Sequence, residues 1–334
     1  MKRQFLAWLL AGTLALAGCG GRVSASSSSS ESGTTSQTSE VTSAEATTAN
    51  TSSARESNAT QSDYTKARVS YLGPEGTYTQ EACGVFFGHQ GTYEPQADVA
   101  ASVQALVDGQ VDYAVIPQEN TIGGPVSEYL DEVISRPEVS VVGEVELPIS
   151  QNLLVKPGTK LEDIQTVYSH KQGIAQGKAW LQEHVPNAEV QEVSSTAEGA
   201  RMASEAADAT AAAIGSSAAA DVYGLEVVAD NIQQNDANKT RFYVLSLDAP
   251  ASAASDRLAF VASGSARNLP KLLASAEAQG LTVVAVHERP RKTELGEYTY
   301  VVECAGGGAD QFERIKADNL DFELRYLGSF PVRA

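Results

Sequence analysis

The chain has 334 residues and carries 42 acidic against 24 basic side chains, a formal net charge of −18. Such a surface repels nucleic acid and gives no help at an anionic membrane, so an anionic ligand would need a local positive pocket. Three cysteines far apart in sequence and four histidines without a shared helical pattern argue against a disulfide framework and show no metal-ligand spacing, zinc included.

Lys2 and Arg3 precede the apolar run "FLAWLLAGTLALAG", which stops at Cys19. A positive start, a short apolar core and small residues before the cut describe a secretory signal. The run falls short of the roughly 20 apolar residues of a membrane span. The stretch "LAGC", Leu16 to Cys19, resembles a bacterial lipobox, whose cysteine is lipidated and becomes the new N-terminus. Residues 1–18 are therefore expected to be a lipoprotein signal peptide and Cys19 the lipid-bearing residue, with an ordinary signal peptide as the alternative. The implied address is a bacterial cell envelope, on the outer side of the cytoplasmic membrane. Residues 19–66 are rich in Ser and Thr and almost free of apolar and aromatic side chains. They read as a disordered tether, since they bury too little to offset the entropy of ordering.

From Val69 the pattern changes. "RVSYLG", "VDYAVIP" and "VSVVGEVEL" are short β-branched runs closed by Gly or Pro, hence strands. "YTQEACGVFFG", "VSEYLDEVIS", "GIAQGKAWLQEHV" and the long alanine-rich stretch "TAEGARMASEAADATAAAIGSSAAADVYG" have helical spacing and composition. The alternation predicts an α/β domain over 67–248 with largely parallel sheets. A small, polar linker spans 249–256. Residues 257–334 then order as strand, helix, strand, strand, helix, strand, the ferredoxin-like βαββαβ motif. Its small core predicts pairing of an edge or face with a partner.

Four stretches carry chemistry. "GPEGTYT", Gly73 to Thr79, lies between a strand and a helix, where turn N–H groups and the helix N-terminus hold an anion. Thr77 and Thr79 read equally as helix caps. "VIPQENTIGG" delivers Glu119, Asn120 and Thr121 to the C-terminal tip of a strand, where ligands collect in open α/β sheets; an Asn-rich turn is the plainer reading. "YSHKQGIAQ" places Ser169, His170, Lys171 and Gln172 at another helix start, and "SST" at Ser194 to Thr196 reads as a cap or a polar lining. "NKTRF", Asn238 to Phe242, reads as a glycosylation acceptor, as a polar turn into the strand "FYVLSL", or as Thr240 beside two cations, ready to protonate something. The lipobox makes glycosylation improbable.

Taken in order, GPEGTYT, VIPQENTIGG, SHKQGIAQ, SSTAEGA, AAAIGSSAAADVYGL and NKTRF, followed by a βαββαβ unit, resemble prephenate dehydratase with its C-terminal ACT domain, from about Val69 to Pro331. The resemblance implies a two-lobed catalytic domain like a type II periplasmic solute-binding protein, a homodimer through the ACT domain, and neither metal nor organic cofactor. It implies decarboxylating dehydration of prephenate to phenylpyruvate, in phenylalanine biosynthesis. Thr240 would assist departure of the leaving water, although a threonine hydroxyl is a very weak acid and needs polarising neighbours. Thr77, Glu119, Asn120, Thr121, Ser169, Gln172 and Phe242 would line the substrate cleft. Arg241 would pair with a substrate carboxylate or brace the loop.

Departures from the family pattern are Thr121 for Ser, Lys171 for Pro, and "RNLP" (Arg267 to Pro270) and "HERP" (His287 to Pro290) for the family's GALY and ESRP. The last two predict weak or absent feedback by phenylalanine, because larger side chains replace the small residues that let an amino acid approach the backbone. A non-catalytic solute-binding or sensor lipoprotein that keeps the same cleft is the rival reading, and arogenate is the rival substrate.

Overall fold

The computed structural model describes residues 63–248 and 255–334. The signal peptide, Cys19, most of the tether and residues 249–254 of the linker lie outside the described residues. Among the described residues no helix is long and apolar enough to cross a membrane.

The first lobe opens with β1 (Arg68–Leu72), α1 (Tyr78–Phe87), β2 (Thr92–Gln96), α2 (Val99–Val107), β3 (Tyr113–Asn120), β4 (Gly124–Pro125), α3 (Ser127–Ser135) and β5 (Ser140–Pro148). The second lobe follows with β6 (Asn152–Val155), β7 (Thr166–His170), α4 (Lys171–His184), β8 (Glu189–Val193), α5 (Thr196–Glu205), β9 (Ala211–Gly215), α6 (Ser217–Tyr223) and β10 (Glu226–Ala229). The chain then returns through β11 (Lys239–Ser246), which enters the first lobe between β5 and β3. Because it comes back from the far lobe, β11 runs antiparallel to both neighbours. In the second sheet β6 is antiparallel to β9 and β10. Both sheets are therefore mixed, and the expected predominance of parallel pairing is corrected: β1–β2, β1–β3, β7–β8 and β7–β9 are parallel, the ladders of β11, β6 and β10 antiparallel.

The alanine-rich stretch is not one helix. It divides into α5, β9 and α6, and all five residues of β9, "AAAIG", are buried. Burial inside a sheet overrides alanine's helix preference, and the small side chains let α5 come close. At Gly199 on α5 an added Cβ would stand 2.9 Å from the Tyr168 carbonyl oxygen.

The C-terminal unit comprises β12 (Arg257–Ser265), α7 (Leu269–Ala278), β13 (Thr282–Pro290), β14 (Glu297–Ala305), α8 (Ala309–Asp318) and β15 (Glu323–Phe330). Its antiparallel sheet runs β13-β14-β12-β15, the order expected of a split βαββαβ motif. Strand alternation divides its faces. Leu258, Phe260 and Ala262 pack with Leu272 and Phe312 of the helices, whereas Ala259, Val261, Val301 and Leu327 join Tyr129, Val141 and Tyr243 in the core of the first lobe. One face of this sheet is thus covered by the first lobe of the same chain. At Gly328 a Cβ would lie 2.1 Å from the Val141 carbonyl oxygen, so β15 and β5 touch backbone to backbone. A final strand, β16 (Val332–Arg333), extends the first lobe's sheet beside β5 in parallel. Cys83 and Cys304 are free and buried.

Candidate functional site

A cleft of about 260 Å3 opens where the lobes meet. Its walls are the end of β3 (Pro117, Asn120), Asn238 just before β11 with Thr240 and Phe242 on it, the segment between β5 and β6 (Ile149, Gln151), and the first turns of α1, α4 and α5. Those helices begin at Thr77, His170 and Ser195, whose side chains accept the N–H of Gln80, Gln172 and Glu198. Each helix start contributes partial positive charge and N–H groups. The lining contains no Lys or Arg; Lys171 is exposed and outside it.

Asn120 is the hub. Its Oδ1 accepts the N–H of Ile122 (3.0 Å) and Gly123 (2.8 Å) from its own turn, and Gln172 Nε2 (3.0 Å) from the opposite lobe. These donors fix the amide orientation, so Nδ2 faces the other way. There it donates to Thr240 Oγ1 at 2.9 Å, to Asn238 Oδ1 at 2.8 Å and to the Lys239 carbonyl at 3.1 Å. Asn238 Nδ2 in turn donates to Gln176 Oε1 at 3.0 Å, which also accepts Gln151 Nε2 at 3.2 Å. A relay of carboxamides thus runs across both lobes and ends on the Thr240 hydroxyl. Because Thr240 Oγ1 is an acceptor toward Asn120, its own proton is free to point into the cleft.

The sequence-predicted residues divide by strand alternation and by depth. Thr77, Asn120, Gln172, Thr240 and Phe242 line the cleft together. Thr77 also donates to the Leu72 carbonyl at 3.2 Å, so it combines lining with capping. Thr121 is exposed and stands beside the cleft; its Oγ1 accepts Lys239 N–H (3.0 Å) and donates to the Ala237 carbonyl (3.1 Å), which pins the turn leading into β11. Ser169 is fully buried and donates to the Ile214 carbonyl at 2.8 Å. It sits beneath α4, where a Cβ on Gly173 would meet its Oγ at 2.6 Å, and so supports the helix start without facing the cleft.

Glu119 and Arg241 face away from the cleft. Thr240 pairs with Asn120, Arg241 with Glu119 and Phe242 with Pro117, and the register shift leaves Gln118 as an extra residue on β3. This bulge turns both Gln118 and Glu119 to the rear of the sheet. Arg241 grips Glu144 through two bonds of 2.9 Å, reaches Glu119 at 3.2 Å, and contacts Glu303 of the C-terminal unit. Of its two sequence readings, this geometry matches the brace. Burial works against the charge of Arg241, but Glu144 and Glu303 more than offset it and hold the pKa above the ordinary arginine value. Burial raises the Glu144 pKa, with the hydrogen bonds from Arg241 acting the other way.

Nearby, His287 Nδ1 meets the Tyr129 hydroxyl and its Nε2 lies 3.5 Å from Glu119. Burial holds His287 below the ordinary histidine value, with Glu119 pulling upward. The neutral tautomer that fits has the proton on Nε2, with Tyr129 donating to Nδ1.

Gln151, Gln176 and Asn238 were not named as site residues from the sequence. Two of them had a readable signal: Gln176 is four residues after Gln172 on one helix face, and Asn238 is two before Thr240, at the entry to the strand that carries it. Gln151, in the segment between strands, had none.

A sequence model described as prephenate dehydratase matches residues 69–250. A bifunctional chorismate mutase/prephenate dehydratase of Neisseria gonorrhoeae is 35% identical over 269 residues, covering 79% of this chain and 74% of that protein. A prephenate dehydratase of Mycobacterium bovis is 33% identical over 283 residues, covering 79% of this chain and 87% of its own length. Among solved structures, the prephenate dehydratase of Arthrobacter aurescens in complex with L-Phe superposes with a TM-score of 0.70 at 27% identity, over 79% of this chain and 90% of that one. With the family model spanning over half of the chain and relatives above 30% identity aligned through both lobes, the chain belongs to the prephenate dehydratase family.

Proposed function

We propose that this chain catalyses the decarboxylating dehydration of prephenate to phenylpyruvate, with Thr240 as the residue that assists the leaving hydroxyl. The observation that carries this reading is the Asn120 Nδ2–Thr240 Oγ1 hydrogen bond of 2.9 Å inside the cleft. It polarises a hydroxyl that is otherwise too weak an acid and leaves its proton aimed at the substrate. As the ring C–O bond breaks, that proton goes to the departing oxygen, which leaves as water. The electron pair of the ring carbon–carboxylate bond moves into the ring, completing its aromaticity and releasing carbon dioxide. Thr240 recovers its proton from solvent. With no Lys or Arg in the lining, the substrate carboxylates are held by amide and hydroxyl donors and by the starts of α1, α4 and α5. Phe242 and Ile149 supply apolar wall for the ring.

The decisive experiment adds prephenate to the purified chain and follows phenylpyruvate absorbance in alkali. Turnover is expected, with Thr240→Val lowering kcat by about 10²- to 10⁴-fold and Thr240→Ser restoring most of it. Binding of prephenate without turnover would replace this reading by a solute-binding one, and unchanged kcat in Thr240→Val would remove Thr240 from the chemistry. Parallel assays with arogenate settle which substrate is preferred.

The C-terminal unit is, in this reading, an ACT domain through which two copies pair. Supporting this are its strand order β13-β14-β12-β15 and a β13 with no strand beyond it among the described residues. Analytical ultracentrifugation showing only monomer would refute the pairing. Arg267 and Asn268 occupy a short 3-10 turn just before α7, in agreement with weak or absent inhibition by phenylalanine; strong inhibition at low concentration would contradict it. The "LAGC" stretch supports export and attachment through a lipid on Cys19, and incorporation of labelled palmitate into wild type but not Cys19→Ala tests this directly.

A further inference from the structure

We infer that Glu303, on β14 of the C-terminal unit, is a positioning residue for the reaction: it sets the spacing between Asn120 and Thr240 by holding the rear of both strands that carry them. The inference rests on the reading that Thr240 acts on the leaving hydroxyl.

Glu303 is 1% exposed, and most of its partners belong to the first lobe. Its Oε2 accepts the Tyr243 hydroxyl at 2.6 Å and Gln118 Nε2 at 3.0 Å, and its Oε1 accepts from Arg241. Among the described residues of its own unit, the charged side chain that reaches it is Arg257, at 3.3 Å. Arg241 and Tyr243 flank Phe242 on β11, and Arg241 directly follows Thr240. Gln118 is the bulged residue of β3, two before Asn120. One carboxylate therefore ties together the strands whose opposite faces form the reactive pair. The tie falls where the ladder between them is irregular, and so where their relative placement is least fixed by backbone pairing.

Glu303 helps keep the buried Arg241 charged, but a stabilising role does not require its carboxylate to grip both β3 and β11. The same face of the unit carries Ala259, Val261, Val301 and Leu327 in the shared core, beside Arg257 and His287. Replacing the whole buried pair by apolar side chains is often neutral or stabilising, so charge pairing by itself does not dictate these residues. What an apolar residue lacks is a directional grip on three groups of the first lobe at once. The consequence is that the C-terminal unit completes the catalytic geometry even in a single copy with no effector bound.

The test is Glu303→Gln. Arg241 keeps Glu144 and Glu119, and Arg257 keeps Glu146, so no cation is left unpaired. The expected result is a fall in kcat of about ten- to a hundredfold with KM changed by less than about twofold, the pattern of an interaction felt in the transition state and not in substrate binding. In 13C-methyl spectra of the free protein the Thr240 methyl signal should shift. Tyr243→Phe removes one strut without changing charge and should give a smaller fall of the same kind, which keeps the inference testable if Glu303→Gln does not fold. Lys271→Ala, which breaks an exposed pair with Asp321 on the same unit, should move neither readout. Unchanged kcat in a folded Glu303→Gln protein, a loss residing wholly in KM, or an unmoved Thr240 methyl would each overturn the inference. A wild type inactive on prephenate would instead sink the dehydratase reading, and the methyl shift would still decide whether Glu303 positions Thr240.

Discussion

Asn120→Asp is the sharpest probe of the carboxamide hub, because it changes one atom's hydrogen-bonding sense and almost nothing in shape. The side of the residue that accepts from Ile122, Gly123 and Gln172 keeps an oxygen and loses nothing. On the other side a donor becomes a carboxylate oxygen, 2.8 Å from Asn238 Oδ1, 3.1 Å from the Lys239 carbonyl and 2.9 Å from Thr240 Oγ1. Asn238 Oδ1 loses its donor, at about 1–3 kcal/mol for a buried group left unmatched, whereas the Lys239 carbonyl keeps the N–H of Thr121 at 2.9 Å. Thr240 responds differently, since it can turn and donate to the new carboxylate. Its proton then points away from the substrate, and the polarisation of its oxygen reverses.

Losing a positioned proton donor costs about 10²- to 10⁴-fold in rate, or about 3–5 kcal/mol on the barrier, and a new negative charge beside a dianion adds to it. The expected outcome is kcat down by about 10³-fold and KM raised, with Tm lowered by about 2–12 °C, from about 1–3 kcal/mol at roughly 2–4 °C per kcal/mol. Steady-state formation of phenylpyruvate below the unfolding transition, with calorimetry on the same sample, measures both. If kcat stays within about tenfold of wild type, or falls only in proportion to the fraction unfolded, the claim that Asn120 polarises Thr240 is wrong.

Two further outcomes test the support around the site. The folded state binds a proton at His287 less readily than the unfolded chain, so this group's stabilising contribution is present above pH about 6.5 and is lost as pH falls through the lowered folded value. Glu144, whose pKa is raised, has the opposite slope, because protonation relieves its burial. Subtracting the His287→Gln protein from wild type isolates the histidine: the difference in Tm should shrink as pH falls from about 7 to about 5, and a difference independent of pH would refute the neutral assignment. Gly199→Ala should lower stability by about 1–3 kcal/mol in thermal melts, although alanine favours helix, since its Cβ would press on the Tyr168 carbonyl. A stabilised protein would show that α5 is free to move back from β7.

What could be read from the sequence depended on whether a residue's role is local. Strand tips and helix starts are local, and Thr77, Asn120, Gln172 and Thr240 stand at such places and do meet in the cleft. Glu119 and Arg241 sit beside Asn120 and Thr240 in sequence, yet face the other way. Alternation on β11 would have predicted this for Arg241, but the bulge that turns both Gln118 and Glu119 backward has no sequence signature. Ser169 looked like a donor at a helix start; only tertiary packing shows Gly173 above it. The alanine-rich stretch misled because propensity is a weak prior against burial, and "AAAIG" lies between β6 and β7 in the second sheet. The strand β16 is two residues long, too short for any period to register.

The uncharged lining of the cleft has a kinetic corollary. Helix starts and amides attract an anion only at short range, whereas a surface of net charge −18 repels it from farther out. A dianion therefore climbs an electrostatic hill before it meets anything favourable, and the usual steering of charged substrates runs backward. Dissolved salt lowers that hill, because the Debye length shrinks to about 10 Å at 0.1 M, while the contacts inside the cleft are hardly screened. Capture of substrate should then become faster as ionic strength rises, in a medium where most enzymes acting on anions are slowed.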